Sequence, residues 1–254
     1  MLRISAVGWK AARYHRRRLP DPYFLPVGYR SRDRPVYDHK QQEEQTEWQR
    51  AVYATAARIG ESLQSLRVID VGCGNGEKLV DLYPRFEIIG IDYGENLRRC
   101  RQRYEFGTWL EHDLDVDEPL PLSTEVERSI IVCADVIEHL LRPERLLMRL
   151  REALEHADAA VISTPERILT HGSRQMGPPP NAAHVREWAL DEFTALLSAH
   201  HFWSGFVGLT RTHAARRPRN TILATVFPSA DRLAAAGVGP GLPSIRLRRP
   251  DQAP

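Results

Sequence analysis

Cysteine and long apolar runs are both scarce in this chain of 254 residues. The three cysteines, Cys73, Cys100 and Cys133, are widely spaced and form no CxxC pair, so the sequence predicts neither a disulfide framework nor a thiolate zinc site. No stretch reaches the roughly 18 apolar residues that a spanning helix needs, and no apolar run follows the N-terminal arginines as in a secretory leader. We therefore expect a soluble protein of the reducing cytoplasm with no membrane partner.

Net charge is small as well, at +2 with an isoelectric point near 8.5, so the overall balance demands neither nucleic acid nor an anionic membrane as partner. The basic residues are nevertheless concentrated in residues 1–36, which we expect to form an irregular N-terminal arm. A hydrophobic content of 42% supports one full core in a chain of this length, and we assign it to residues 37–228. Residues 229–254, rich in glycine, proline and arginine, predict a flexible tail.

Between these two ends, segments of strand character alternate with segments of helical or amphipathic period. The predicted strands are residues 67–71, 86–91, 108–111, 129–134, 159–163, 202–209 and 221–227. The predicted helical segments are residues 37–58, 77–83, 96–104, 143–154 and 191–200. This alternation is typical of an α/β fold in which a mostly parallel sheet carries helices on both faces, with the last two strands able to pair as an antiparallel hairpin.

The first predicted strand ends in a glycine-rich loop, Gly72-Cys73-Gly74-Asn75-Gly76, which opens the next amphipathic segment. Glycine has no Cβ and accepts positive φ, so the backbone of such a loop can lie against a ligand. The N–H groups at the start of the following helix are donors for an anion. Enzymes that bind a dinucleotide pyrophosphate use the spacing GxGxxG. Because the spacing here is GxGxG, a nicotinamide enzyme is the less favoured alternative.

Acidic residues accompany three successive predicted strands at positions that suit a nucleoside. Asp70 precedes the loop, Asp92 ends the second strand where it can accept hydrogen bonds from two ribose hydroxyls, and Asp113 follows the third strand as a partner for an adenine amino group. S-adenosylmethionine carries no phosphate, and its amino and carboxylate ends need one acid and one cluster of N–H donors, which Asp70 and the loop supply. The predicted cofactor-binding residues are Asp70, Gly72, Cys73, Gly74, Gly76, Asp92, Tyr93, Asp113, Leu114 and Asp135.

Three segments of the chain resemble motifs of class I S-adenosylmethionine-dependent methyltransferases. They are residues 68–76, residues 89–92 and Cys133-Ala134-Asp135-Val136-Ile137-Glu138-His139-Leu140. The resemblance covers about residues 37–227 and implies a Rossmann-like, seven-stranded, mostly parallel sheet with an antiparallel last strand. Within the class, the third segment is similar to the type 11 (UbiE and UbiG-like) methyltransferases, which act on small molecules without a metal.

A second group of residues indicates where the methyl group goes. If Asp135 begins a helical turn, Asp135, Glu138 and His139 are spaced i, i+3, i+4 and face one way, and His184 in a later loop adds a second imidazole. These four residues suit a divalent metal ion, Mg²⁺ or another. The pattern is similar to the metal-dependent methyltransferases that modify the 2′-hydroxyl at the 3′ end of small RNAs, although Asp135 stands where they have a glutamate. Those enzymes also have a later histidine before a Glu-Trp pair, and the corresponding segment of this chain is His184-Val185-Arg186-Glu187-Trp188.

Several roles for this group stay open from the sequence. The predicted catalytic residues are Glu138, His139 and His184. In one interpretation they bind a metal together with Asp135. In the others, His139 acts as a general base without a metal, or His139 has only a structural role. Either active role suits a hydroxyl acceptor on a small molecule or a glycan. The alternatives are an RNA 2′-hydroxyl, which the basic arm with its aromatic residues favours, and a non-catalytic regulatory protein that binds S-adenosylmethionine.

Overall fold

A computed structural model of the protein describes residues 21–36, 48–213 and 218–237. The strands are β1 (Arg67–Val71), β2 (Glu87–Asp92), β3 (Thr108–Glu111), β4 (Ser129–Ala134), β5 (Ala159–Pro165), β6 (Trp203–Thr210) and β7 (Thr221–Phe227). The α-helices are α1 (Arg50–Leu63), α2 (Gly94–Arg103), α3 (Pro143–Leu154), α4 (Arg167–His171), α5 (Leu190–Ala199) and α6 (Ala230–Ala235). Short 3₁₀ helices form at Glu77–Leu82, Thr124–Val126 and Ile137–His139. Within the described ranges, no helix is both long and apolar enough to cross a membrane.

The strands form one seven-stranded sheet in the order β3-β2-β1-β4-β5-β7-β6. Neighbouring strands are parallel except at β7, which runs antiparallel to both β5 and β6. The carboxyl ends of β1 to β5 therefore meet at one edge, and the strand order reverses between β1 and β4, where α/β sheets bind their ligands. This arrangement confirms the predicted Rossmann-like α/β fold with an antiparallel last strand.

Helices cover both faces of the sheet because side chains alternate along each buried strand. On β1, Val68 joins a core cluster with Ile59 of α1, whereas Ile69 joins a second cluster on the opposite face with Leu147 of α3. Each residue of β4 is buried, which accounts for its unbroken apolar run. Pro143 is the first residue of α3, where proline loses no hydrogen bond.

Several element boundaries differ from the sequence prediction, most by one or two residues. Helix α1 begins at Arg50 and continues to Leu63, later than the predicted 37–58, and residues 37–47 lie outside the described residues. Strand β5 extends to Pro165 because pairing with β7 continues as far as Thr221. Within the predicted tail, α6 forms at Ala230–Ala235 and Leu233 packs against the core. Residues 238–254 lie outside the described part of the chain.

Candidate active site

The glycine loop leaves β1 in a backbone conformation that favours glycine. Gly72, Gly74 and Gly76 have φ angles of 81°, 57° and 71°, in the left-handed region that other residues rarely adopt. A Cβ on Gly72 would lie 2.4 Å from a methyl carbon of Val136, whereas a Cβ on Gly74 would meet no atom within 4 Å. Gly72 thus lets the loop pack against the turn after β4, and Gly74 borders open space that a ligand can enter.

Asp92 is held against this loop by backbone donors. Its Oδ2 accepts a hydrogen bond of 2.7 Å from the N–H of Gly74, and its Oδ1 accepts one of 2.8 Å from the N–H of Tyr93. The residue is 8% exposed at the end of β2. Because each carboxylate oxygen has more than one lone pair, Asp92 can keep these bonds and still accept from the hydroxyls of a ribose, as the sequence predicts.

Asp70 lies fully buried on β1, below the glycine loop. Its Oδ2 accepts a hydrogen bond of 2.8 Å from the hydroxyl of Tyr53 on α1, and its Oδ1 has no hydrogen-bond partner among the described residues. Burial raises the pKa of Asp70 to about 7, although the Tyr53 hydrogen bond and the charge of Lys78 lower it. A buried carboxylate oxygen without a donor fits the ammonium group of an amino-acid-like ligand, so the residues present are compatible with S-adenosylmethionine.

The remaining predicted cofactor residues follow β1, β2 and β3 at the same edge. Leu114 is buried, and Asp113 is exposed with its Oδ1 accepting a 3.0 Å bond from the N–H of Asp115. Tyr93 is 47% exposed, and its pKa is raised by partial burial and then by the charge of Asp113. Cys73 is buried within the glycine loop. This end of the cleft therefore offers an apolar surface beside a carboxylate, as an adenine ring requires.

A second site forms where β4 and β5 end. One candidate ligand atom from each of Glu138, His139 and His184 lies within 4.8 Å of the other two, the spacing that a single metal ion can bridge. Glu138 is fully buried; its Oε2 accepts a 2.9 Å hydrogen bond from the hydroxyl of Thr164, and its Oε1 has no partner in the described parts of the chain. Burial, followed by the charge of Asp135, raises the pKa of Glu138 well above its usual range. A buried acid without a donor suits a cation.

Hydrogen bonds fix the proton position on each imidazole of this site. Nδ1 of His139 lies 2.8 Å from the carbonyl oxygen of Ala183 and Nδ1 of His184 lies 2.5 Å from Oε1 of Glu187. Since a carbonyl and a carboxylate oxygen accept these bonds, Nδ1 of each ring carries the hydrogen. Burial and the neighbouring His184 lower the pKa of His139 to about 4, so this ring is neutral near pH 7, as metal ligands must be.

Asp135 occupies a different place from the one that helical spacing predicts. It has a φ of 53° and precedes the 3₁₀ helix Ile137–His139, so the expected i, i+3, i+4 face does not form. Its Oδ1 accepts a 2.6 Å hydrogen bond from the hydroxyl of Ser163 on β5. Because its backbone turns before the helix begins, Asp135 is not in the group of Glu138, His139 and His184. It remains at the carboxyl end of β4, between the two sites.

Residues 21–36 contribute to this site. They form no helix or strand, and they pack on the loop that carries His184. The guanidinium of Arg32 donates to the carbonyls of Pro179 (2.6 Å) and His184 (3.3 Å), and the hydroxyl of Tyr29 accepts from the N–H of Glu187 (2.9 Å). A run of Arg, Pro and Tyr without period carries no signal for such packing. Residues 1–20, which carry most of the arginine and lysine residues of the 1–36 arm, lie outside the described residues.

The sheet order, the glycine loop and the acidic strand ends define a Rossmann-like methyltransferase fold. Among solved structures, a SAM dependent methyltransferase from Aquifex aeolicus superposes with a TM-score of 0.53 at 15% identity, covering 75% of this chain and 98% of that one. An S-adenosylmethionine dependent methyltransferase from Mesorhizobium loti gives a TM-score of 0.53 at 20% identity, covering 72% and 98%. At these identities the likeness shows the fold.

The chain belongs to the class I S-adenosylmethionine-dependent methyltransferase family, since the family model described as a methyltransferase domain matches residues 37–206. A probable S-adenosylmethionine-dependent methyltransferase of Mycobacterium tuberculosis (strain ATCC 25618 / H37Rv) is 29% identical over 175 residues, which are 68% of this chain and 60% of that protein. The chain thus matches 60% of the length of this curated relative. The residues that the family model matches include the glycine loop and strands β1 to β5.

Proposed function

We propose that this protein transfers the methyl group of S-adenosylmethionine to a hydroxyl oxygen of a small-molecule or glycan acceptor. The observation that carries the proposal is the group formed by Glu138, His139 and His184, whose candidate ligand atoms lie within 4.8 Å of one another beside the switch point of the sheet. An acid and two imidazoles at this place suit the deprotonation of a weakly acidic hydroxyl. The family membership supports the methyl donor.

The donor cleft has carboxylates for two polar parts of S-adenosylmethionine. The carboxylate of Asp70 is placed to pair with the ammonium, and that of Asp92 with the ribose hydroxyls. Asp113 and Leu114 suit the adenine amino group and ring. The bound donor supplies an electrophilic methyl group, and the protein has to hold the acceptor oxygen in line behind it.

Glu138, His139 and His184 would hold a divalent cation, and Asp135 lies near enough to raise the pKa of Glu138. When bound, such a cation lowers the pKa of a coordinated hydroxyl and orients it. The alternative in which His139 is the general base has less support, because a base whose pKa is about 4 removes a proton from a hydroxyl inefficiently near neutral pH. A vicinal diol fits the metal-bound arrangement well, since one ion can bind two adjacent oxygens.

A labelled-methyl transfer assay tests this proposal. The purified protein is incubated with labelled donor and a panel of glycans, small diols, phenols, carboxylates and RNA 3′ ends, each with and without a chelator. We expect transfer to a hydroxyl compound, loss of transfer with the chelator and recovery when Mg²⁺ or Mn²⁺ is restored. Transfer that survives the chelator would contradict the metal, and transfer only to RNA ends would contradict the small-molecule or glycan class.

Binding measurements test the recognition of the methyl donor independently of the acceptor. We expect calorimetry to detect S-adenosylhomocysteine binding and no NADH binding, because the GxGxG spacing of the loop differs from the GxGxxG spacing that holds a dinucleotide pyrophosphate. The variant Asp92→Ala removes the acceptor that Gly74 and Tyr93 orient, so S-adenosylhomocysteine binding should weaken strongly. Donor binding without transfer to any acceptor of the panel would favour the non-catalytic alternative.

A further inference from the structure

Glu187 is a buried acid that lies between two histidines. It is 1% exposed, and it comes directly before the fully buried Trp188. Its Oε1 is hydrogen-bonded to Nδ1 of His184 at 2.5 Å, and its Oε2, which has no hydrogen-bond partner among the described residues, lies 3.0 Å from Nε2 of His171 on α4. The side chain therefore has an imidazole beside each of its two oxygens.

Glu187 is not the counterion of its basic neighbour in sequence. The guanidinium of Arg186 donates instead to the carbonyls of Leu140 (3.0 Å) and Leu141 (3.1 Å), and it stacks over Tyr23 at 4.1 Å. Arg167, the buried arginine of α4, pairs with Glu192 at 2.6 Å. Both arginines thus have other partners, and the contacts of the Glu187 carboxylate in the described chain are with histidine.

The backbone around Glu187 is held on both sides. Its N–H donates to the hydroxyl of Tyr29 (2.9 Å), and the indole N–H of Trp188 donates to the carbonyl of Tyr23 (2.9 Å). Trp188 is 0% exposed, so it fixes the chain in the core directly after Glu187. A carboxylate on such a rigid backbone segment can orient a neighbouring side chain accurately.

The position of the proton on His184 follows from this contact. The Oε1 atom of Glu187 accepts this hydrogen bond, so Nδ1 of His184 carries the hydrogen and Nε2 keeps its lone pair. Nε2 lies 2.9 Å from the side-chain nitrogen of Asn181, a donor that a metal ion would displace. Without Glu187, only the Asn181 side chain would favour the lone pair on Nε2, and a ring that carries its hydrogen on Nε2 cannot bind a cation through that atom.

We infer that Glu187 is a positioning residue, which holds His184 in the tautomer and orientation needed at the Glu138–His139–His184 site. A histidine that binds a metal commonly donates its other N–H to a carboxylate, which fixes the ring and raises its basicity. The role in metal binding rests on the proposed function, whereas the role in fixing the tautomer does not.

Two measurements on the full-length protein test the inference. The first is the ¹⁵N NMR spectrum of the histidine rings in metal-free protein, with His184 assigned by a His184→Ala variant. The second is a calorimetric titration with Mn²⁺. Both are made on the unaltered protein, on Glu187→Gln, and on His171→Ala, a control that removes the other histidine from the same carboxylate while leaving the His184 contact. The temperature of unfolding shows whether each variant is folded.

In the unaltered protein and in His171→Ala, we expect an unprotonated Nε2 on His184. In Glu187→Gln we expect a mixture of tautomers, because an amide can donate as well as accept, and an affinity for Mn²⁺ that is about 10 to 100-fold weaker. An unchanged His184 tautomer in folded Glu187→Gln would overturn the inference. A tautomer change in that variant, with no Mn²⁺ binding to the unaltered protein, would sink the metal part of the proposed function and leave the positioning role standing.

Discussion

The hydroxyl of Tyr53 donates a 2.8 Å hydrogen bond to the fully buried carboxylate of Asp70. This contact joins α1 to β1 directly below the glycine loop. It leaves the other oxygen of Asp70 without a hydrogen bond in the described structure, and the pKa of the acid stands near 7 in consequence of its burial. Binding of a cationic ligand group at this point should therefore depend on pH in the neutral range.

S-adenosylhomocysteine should bind more tightly as the pH rises through the pKa of Asp70. The acid is mostly protonated at about pH 6 and mostly ionised at about pH 8, and only the ionised form attracts the ligand's ammonium, so the affinity should be about tenfold weaker at the lower pH. Calorimetry across this range measures the effect. Asp70→Asn should bind weakly with a flat profile, and the same slope in that variant would refute the assignment.

Tyr53→Phe provides a matched variant for the same measurement. The Tyr53 hydrogen bond lowers the pKa of Asp70, so its removal should shift the midpoint of the binding profile to higher pH while the affinity at about pH 9 stays near that of the unaltered protein. A midpoint that stays in place would show that another group titrates.

Asp70 should also make the stability of the protein depend on pH, in the direction opposite to that of ligand binding. The pKa of Asp70 is about 7 in the folded state against 3.8 as its ordinary value. Because the folded pKa is raised, the acid's contribution to stability is complete below about pH 4 and is lost as the pH rises through about 7. Asp70→Asn should therefore exceed the unaltered protein in free energy of unfolding by up to about 4 kcal/mol at about pH 8, and much less at about pH 5. Urea unfolding at the two pH values checks both sign and trend.

The sequence predicted the bounds of the buried strands well, but not the contacts of residues 21–36. The bounds of β4 and β7 agree with the prediction to the residue, since a strand buried on both faces shows a run of apolar and β-branched residues. Residues 21–36 gave no such pattern, because their packing depends on a few aromatic contacts, such as that of Tyr29 with Arg167. Local period cannot indicate contacts between residues so far apart in the chain.

For the candidate site, the sequence indicated the residues but not all of their partners. Glu138, His139 and His184 come together as predicted, whereas Asp135 departs because a left-handed residue before the 3₁₀ helix breaks the assumed helical spacing. The contacts of Tyr53 with Asp70 and of Glu187 with His171 depend on how different elements pack against one another, which the sequence alone does not show. An i, i+3 spacing joins His184 to Glu187, and this was the one signal for the latter contact.

Replacing Glu138 by glutamine should separate function from stability. The buried acid has one oxygen without a hydrogen bond among the described residues, and an uncompensated buried acid destabilises a protein. We expect Glu138→Gln to lose Mn²⁺ binding in calorimetry, and to unfold at the same temperature as the metal-free unaltered protein or higher. Retained Mn²⁺ affinity would contradict the metal site. A large fall in unfolding temperature would instead assign Glu138 a structural role.

Alanine at Gly177 should uncouple residues 21–36 from the loop that carries His184. Gly177 has a φ of 69°, and a Cβ there would lie 1.9 Å from the carbonyl oxygen of Arg30, a backbone atom that cannot rotate away. Gly172→Ala is the matched control, because Gly172 also has a positive φ of 89° but borders open space. That control should show only backbone strain of roughly 1–3 kcal/mol.

Gly177→Ala should show a larger loss of unfolding free energy and weaker Mn²⁺ binding, with S-adenosylhomocysteine affinity retained because the glycine loop lies elsewhere. Equal effects of the two substitutions on Mn²⁺ binding would show that the N-terminal segment does not support the site.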